Sequence, residues 1–171
     1  SIKIPEGVET ITQDAFINCN NLETVSLPST LKEIGKFAFS KTSLKGEIII
    51  PEGVTEIGES AFSVGTSAEG LKITKVQLPE SLETIGARAF MGCSELTEIT
   101  IPDKVTTIEE ATFSQCSKLK TVVIGDGVTS IGDRAFQDCS SIETITLGKS
   151  VSSIGNKAFN VSSSWDETGY K

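Results

Sequence analysis

The chain has 171 residues, a formal net charge of −8 and an isoelectric point near 4.6, and 37% of its residues are hydrophobic. The acidic balance disfavours nucleic-acid binding, which needs clustered Lys and Arg, and no apolar run approaches the roughly 20 residues of a membrane-spanning helix. The sequence contains no His, which removes the commonest general base and every His-containing metal site. An enzyme is therefore disfavoured, and we expect no cofactor.

The chain is built from one repeated stretch, which residues 128–147 show in full. The Phe of this stretch recurs at intervals of 23, 23, 28, 23, 23 and 23 residues. A fixed period of roughly 20 to 50 residues is typical of a solenoid, in which each unit buries its apolar face by stacking on its neighbours. We therefore predict a single domain over residues 1–171 with about seven repeats, one for each of these positions: Phe16, Phe39, Phe62, Phe90, Phe113, Phe136 and Phe159.

Each repeat contains two apolar segments and a turn. An Ile lies five residues before every repeated Phe, and a Val or Leu lies eight residues before it, so we assign both positions to the core. After the Phe, apolar residues alternate with polar ones, as at Ile99 and Ile101, which predicts a β-strand with one buried face. A Pro, or a Gly in the last two copies, closes each strand. Stacked copies of this strand predict a parallel sheet.

The segment around each repeated Phe predicts one or two short helical turns. Residues 132–138 read Gly-Asp-Arg-Ala-Phe-Gln-Asp, and we assign to Gly132 the change of backbone direction at the start of the segment. Thr12 and Glu109 replace this Gly in two of the copies. Strands and helical turns together predict the α/β class.

Two copies depart from the regular pattern in the middle of the chain. The second copy carries Leu44 one position early, and the third is five residues longer than the rest. We place the insert at residues 63–75, predict a surface loop at 63–70, and expect Ile73 to replace the inward Leu.

The two ends of the chain also depart from the pattern. After Phe159 the repeat decays, and we predict that residues 160–171 form a degenerate repeat or a cap in which Trp165 and Tyr170 cover the open end. Residues 1–5 match the end of a repeat and not its beginning, so we expect a fragment of a longer protein.

The repeat resembles the BspA-like, or Treponema pallidum-type, leucine-rich repeat. Its units run Val-x-x-Ile-Gly-x-x-Ala-Phe-x-x-Cys-x-x-Leu-x-x-Ile-x-Ile-Pro, and the match covers about residues 2 to 160. The resemblance implies a right-handed leucine-rich-repeat solenoid shaped as a horseshoe, with 23-residue repeats and the parallel sheet on its concave side. It also implies a bacterial cell-surface or secreted protein that binds host or partner proteins.

The outward face of the concave sheet supplies the candidate binding residues, because concave solenoid faces are the usual binding surfaces. Its side chains lie eight and ten residues after each Phe, with a shift in the copy that carries the insert. This face contains no Trp, Tyr or Arg, which most often anchor protein interfaces. The candidates are Thr24, Ser26, Glu47, Ile49, Lys75, Gln77, Glu98, Thr100, Thr121, Val123, Thr144 and Thr146.

Two further columns of equivalent residues raise the question of a metal. Four cysteines lie three residues after a repeated Phe and share one column, which suits neither a disulfide nor a zinc site, so we predict free buried thiols at Cys19, Cys93, Cys116 and Cys139. The turn column is mostly acidic, which raises the possibility of calcium, and it contains Glu6, Ser29, Glu52, Glu80, Asp103, Asp126 and Lys149. Because these turns lack the ligand spacing of a calcium loop, we prefer a solvated acidic edge and expect no metal.

Three functions fit the pattern. The first is a non-enzymatic protein–protein interaction or adhesion module, extracellular or on the cell surface, whose ligand is a protein such as a host matrix or cell-surface protein. The second is a structural spacer that displays other domains and has no ligand of its own. The third, a carbohydrate-binding module, is disfavoured because the sheet face lacks the aromatic rings on which sugars stack.

Overall fold

The computed structural model describes residues 1–64 and 71–161, and its regular structure consists of short parallel strands. Seven strands, one per repeat, form what we call the long-strand face: β1 (Ile2–Lys3), β3 (Val25–Ser26), β5 (Lys45–Ile49), β7 (Lys72–Gln77), β9 (Glu98–Ile101), β11 (Thr121–Ile124) and β13 (Thr144–Thr146). Seven two-residue strands form the short-strand face: β2 (Thr10–Ile11), β4 (Glu33–Ile34), β6 (Glu56–Ile57), β8 (Thr84–Ile85), β10 (Thr107–Ile108), β12 (Ser130–Ile131) and β14 (Ser153–Ile154).

Every strand pair joins one repeat to the next, in parallel. On the long-strand face the paired groups are β1–β3, β5–β7 and β9–β11–β13. On the short-strand face they are β2–β4–β6–β8 and β10–β12–β14. Thr121 lies opposite Glu98 on one side and Thr144 on the other, a spacing of one 23-residue repeat. The predicted solenoid with a parallel sheet is therefore confirmed.

The predicted short helical turns are wrong for the part of the chain that the structure describes, which contains no helix. In residues 132–138 the backbone forms tight turns, with Arg134 at φ 57° and Asp138 at φ 61°. An α-helix requires negative φ throughout and bonds from each N–H to the fourth preceding carbonyl. Here the Ala135 N–H donates to Gly132 O within the same turn (3.3 Å), whereas the Phe136 N–H donates to Ala158 O of the next repeat (2.7 Å). The turns around the repeated Phe residues are thus also held by hydrogen bonds between repeats.

The repeated Phe residues form the centre of the core. Their rings lie nearly parallel at centroid distances of 5.1 to 5.4 Å along the whole stack. The five inner rings are completely buried, while Phe16 and Phe159 at the ends are only partly buried. The Val or Leu and the Ile that precede each inner Phe are buried with it, as the sequence predicts.

The Gly that lies four residues before five of the seven repeated Phe residues has a different role from the one we predicted. Gly86 does not have a positive φ, but a Cβ on it would lie 2.4 Å from the backbone nitrogen of Glu59 in the preceding repeat. Gly35, Gly58, Gly132 and Gly155 approach the preceding repeat in the same way, at 2.5 to 2.9 Å. The Gly is therefore required by close packing of backbones, because no real Cβ fits at such distances.

Glu109 occupies this Gly position in the fifth repeat, and the short-strand face is interrupted there. All five strand pairs of this face have Gly in the later repeat, whereas β8 and β10 belong to separate sheets. A groove of about 400 Å³ lies between them, lined by Glu83, Thr84, Lys104 and Thr106. Because Glu109 has a Cβ, its backbone cannot come as close to the preceding repeat as a Gly does.

The insert in the third copy is largely incorporated into the stack. Ile73 is buried as predicted, and Leu71 is buried beside it. Ser63 and Val64 are also buried beside the core. The prediction of a surface loop is therefore wrong for these two residues. Residues 65–70 lie outside the described residues.

The predicted cap also falls outside the described part of the chain, since Trp165 and Tyr170 belong to residues 162–171. Ile145, Leu147 and Ile154 in the last described repeat are exposed.

Candidate functional site

The long-strand face carries all twelve residues that the sequence predicts for binding. Ten of them are exposed, and Thr121 and Val123 are half-buried. The residues between them point into the core, as Ile48, Val76 and Ile99 show, which are all almost completely buried. This alternation follows from the two-residue period of a strand with one buried side.

The strand register brings these side chains into two parallel rows. In the first row, Glu47 lies opposite Lys75, and Thr121 lies between Glu98 and Thr144. The second row runs beside it, and the register aligns Ile49 with Gln77 and Val123 with Thr100 and Thr146. Ser26 belongs to the same row in β3. The second half of both rows is therefore rich in Thr, and the middle of the first row is charged.

Lys75 is the central charge of the first row and lies between two carboxylates. Its Nζ is 3.3 Å from Glu98 and 4.0 Å from Glu47. The Gln77 side-chain amide also donates to Glu47. All three charged side chains are about half exposed, so water and salt screen these pairs and each stabilises the fold only weakly.

The long-strand face is interrupted at two places, and each interruption leaves a groove. One groove, of about 470 Å³, lies where β3 and β5 do not pair, and Ser26, Glu47 and Ile49 line it. The other, of about 340 Å³, lies where β7 and β9 do not pair, and its lining includes Lys75 and Glu98. Sequence reasoning did not find these grooves.

Two sequence signals nevertheless accompany the grooves. Pro51 lines the first groove and Pro102 the second, and Pro has no N–H to extend pairing beyond the strand. By contrast, Gly125 follows β11 and donates its N–H to Ile101 O at 2.9 Å, so pairing continues there. The second signal is the early Leu44, which directly precedes β5, the strand whose Glu47 and Ile49 line the first groove.

The acidic turn column holds repeats together through hydrogen bonds. Oε1 of Glu6 accepts the backbone N–H of Ser29 at 3.2 Å, and Oδ1 of Asp103 accepts that of Asp126 at 2.7 Å, each one repeat further on. The bonds from Ser29 lower the pKa of Glu6, and those from the Lys149 side chain and N–H lower the pKa of Asp126. Within residues 1–64 and 71–161, no group of acidic, Cys or His side chains is arranged to hold a metal ion.

The cysteine column is buried from the fourth repeat onward. The thiol of Cys116 donates to Phe90 O of the preceding repeat at 3.4 Å, and Cys93 and Cys139 make equivalent contacts. Burial raises the pKa of Cys93 to about 12, so this thiol stays neutral at physiological pH. Cys19 lies at the end of the described stack and is exposed, which corrects the prediction for this residue. All four cysteines are free.

Over residues 1–64 and 71–161, no helix has the length and apolar character to cross a bilayer.

Comparison with known proteins agrees with this geometry. A family model for the BspA type leucine rich repeat region matches residues 1–74 and 68–166, in six copies. Among solved structures, the Treponema pallidum leucine-rich repeat protein TpLRR has a TM-score of 0.75 at 24% identity, covering 98% of this chain and 78% of that one. A leucine-rich repeat protein from Bacteroides ovatus ATCC 8483 has a TM-score of 0.61 at 26% identity, covering 92% of this chain.

The chain spans only 57% of the Bacteroides ovatus protein. No curated protein matches the chain. Because the family model covers almost the whole sequence, the chain belongs to the BspA-type leucine-rich repeat family, a bacterial family of solenoids whose repeats suggest a scaffold for protein interaction.

Proposed function

We propose that this chain is a non-enzymatic interaction or adhesion module of a bacterial surface or secreted protein, and that it binds a protein partner through the long-strand face. The observation that carries the proposal is the pair of exposed rows on this face, which the strand register holds at fixed spacing within the paired groups β5–β7 and β9–β11–β13. Side chains that a rigid scaffold holds in place lose little conformational freedom on binding. The entropic cost of binding a protein partner is therefore small on such a face.

The long-strand face suits a partner better than the short-strand face does. Its strands reach six residues in β7 and five in β5, whereas every strand of the short-strand face has two. Longer strands present two exposed rows where the short ones present one. The two grooves add concave relief, which a flat sheet lacks, and concave sites bury more of a bound group.

A second candidate is a spacer without a ligand of its own. It is favoured because surface charges pair between repeats, as Lys75 does with Glu98 and Lys120 with Glu143. These charged groups therefore already have partners within the chain. A carbohydrate-binding module has less support, because the two rows contain no aromatic ring.

The test is a pull-down with the immobilised chain against serum, matrix and bacterial-surface proteins. It is repeated with Glu47→Ala, Lys75→Ala and Thr121→Ala combined, which removes side chains from the first row. The matched control combines Glu56→Ala, Lys104→Ala and Thr106→Ala, which removes the same residue types from exposed positions on and beside the short-strand face.

The proposal expects specific retention of a partner that the first variant loses and the control variant keeps. Retention that survives the first variant, or that is lost in the control alone, contradicts binding through the long-strand face. If nothing is retained, the spacer becomes the better account.

A further inference from the structure

The groove between β3 and β5 combines an apolar wall with an acidic rim. It has a volume of about 470 Å³, which lies within the range of roughly 300 to 1,000 Å³ typical of ligand sites. Its apolar lining comes from Val25, Leu27, Ile49 and Pro51. Its acidic lining comes from Glu6 and Glu47.

Ile49 is the exposed apolar residue that distinguishes this groove. Its side chain is 58% exposed, although the preceding Ile48 is almost completely buried in the core. The other exposed large hydrophobic residues of the described chain lie at its C-terminal end, in the last described repeat. Covering Ile49 with an aliphatic side chain would remove apolar surface from water, which is favourable at about 25 cal/mol per Å².

The rim of the groove contains two carboxylates, Glu6 and Glu47, and the lysines that act on them, Lys3 and Lys75, lie outside its lining. Glu6 is held in place by the Ser29 N–H at 3.2 Å and the Ser29 hydroxyl at 2.9 Å, and these bonds lower its pKa. Lys75 lies nearer to Glu98 (3.3 Å) than to Glu47 (4.0 Å). Among the residues that the structure describes, no Lys or Arg lines the groove.

We infer that this groove binds a protein segment that presents a branched aliphatic side chain beside a lysine or arginine. The aliphatic group packs against Ile49 and Leu27, and the cation pairs with Glu6 or Glu47. Charge complementarity of this kind sets orientation and excludes acidic segments, since like charges repel across an interface. The inference rests on the proposed function and names the class of partner segment for one part of the same face.

The experiment measures the fluorescence polarisation of three labelled synthetic peptides with the intact chain. The first is Gly-Lys-Leu-Ile-Lys-Gly, the second replaces both Lys by Glu, and the third replaces Leu-Ile by Ser-Ser. We expect the first peptide to bind and the other two to bind at least about tenfold more weakly, the loss expected from one hot-spot contact. Its binding should also weaken with added salt, because exposed charges are screened.

Two variants locate the binding. Ile49→Thr removes the apolar wall, and Glu47→Gln removes one rim charge, so each should weaken the first peptide by about tenfold. Ile154→Thr is the matched control, because Ile154 is 52% exposed, much like Ile49, but lies in β14 of the short-strand face. It should leave the affinity unchanged. Equal urea midpoints for all variants show that the fold is retained.

Similar binding of the Lys and Glu peptides, or an unchanged affinity in Ile49→Thr, overturns the inference. The peptide and pull-down results also separate the two proposals. In one outcome, the pull-down retains a partner that the first-row variant loses, but no peptide binds. This outcome supports the proposed function and overturns the inference about the groove. A groove-dependent peptide with no retained partner supports the groove and contradicts the broader function.

Discussion

Replacement of Phe113 by Ala removes a ring from the middle of the Phe stack. Phe113 is fully buried, and its ring centroid lies 5.4 Å from that of Phe90 and 5.3 Å from that of Phe136. Truncation of a buried Phe costs about 3 to 5 kcal/mol, and the contact with a ring on both sides places this residue toward the upper end.

The backbone around Phe113 opposes collapse of the cavity. The Phe113 N–H donates to Ala135 O at 2.8 Å, and the Phe90 N–H donates to Thr112 O at 2.9 Å, so the repeat is fixed to both neighbours. Phe16→Ala is the matched control, because Phe16 is partly exposed and stacks on Phe39 alone in the described chain. We expect it to cost less than about half as much.

Urea denaturation followed by far-ultraviolet circular dichroism measures both losses. The slope of the unfolding free energy against urea must be compared as well, since repeat arrays can lose two-state behaviour. A loss below about 1 kcal/mol for Phe113→Ala, or an equal loss for Phe16→Ala, would refute the stacked core as the main source of stability.

Three further substitutions and one labelling reaction test the packing and the backbone of the repeats. Gly86→Ala places a Cβ against the preceding backbone and should cost about 1 to 3 kcal/mol in urea denaturation, whereas Glu109→Ala should change stability by less than about 0.5 kcal/mol. Lys41→Gly relieves a φ of 56° and should raise the unfolding free energy by about 0.5 to 1 kcal/mol in the same assay. In thiol labelling at pH 8, exposed Cys19 should react rapidly, and Cys93, whose pKa burial raises to about 12, should react only on unfolding or local opening.

Each of these predictions has a result that contradicts it. An unchanged unfolding free energy in Gly86→Ala would show that the repeats can move apart there without loss of stability. Lys32 has no positive φ, so an equal gain in unfolding free energy from Lys32→Gly would remove the strain argument for Lys41. Labelling of Cys93 as fast as Cys19 in the folded protein would contradict the buried column.

The sequence was sufficient to predict the solenoid because its period is regular and its core positions recur. The two rows of the long-strand face follow from the same regularity, since a strand with one buried side exposes every second residue. Ile48 and Ile49 illustrate this, with the first buried and the second exposed. Which residues of the face bind a partner stays a prediction.

The helical turns were predicted wrongly because composition does not show where an N–H donates. Ala and Phe around position 135 are compatible with a helix, but Arg134 adopts a positive φ and alternate amides bond to the next repeat. The Gly of the repeat, as at Gly132, was expected to let the backbone change direction, but its role depends on the distance to a backbone one repeat earlier. Such distances between repeats are set by tertiary packing and cannot be read from one copy.

The breaks between strands were missed for the same reason. Glu109 was visible as an exception to the Gly pattern, but only the approach of neighbouring backbones shows that a Cβ there opens the short-strand face. The acidic turn column likewise suggested calcium or a solvated edge. Its carboxylates are exposed, and they also accept N–H groups one repeat further on, as Asp103 does from Asp126.

Site-specific photo-cross-linking can show whether the long-strand face contacts a protein partner, as we propose. A benzophenone amino acid replaces Thr144 in β13 of the long-strand face or Thr84 in β8 of the short-strand face, and both positions are exposed. Each variant is irradiated with the same serum, matrix and bacterial-surface proteins. We predict covalent adducts from position 144 and none from position 84. Adducts from position 84 alone, equal adducts from both positions, or no adduct from either would contradict the account.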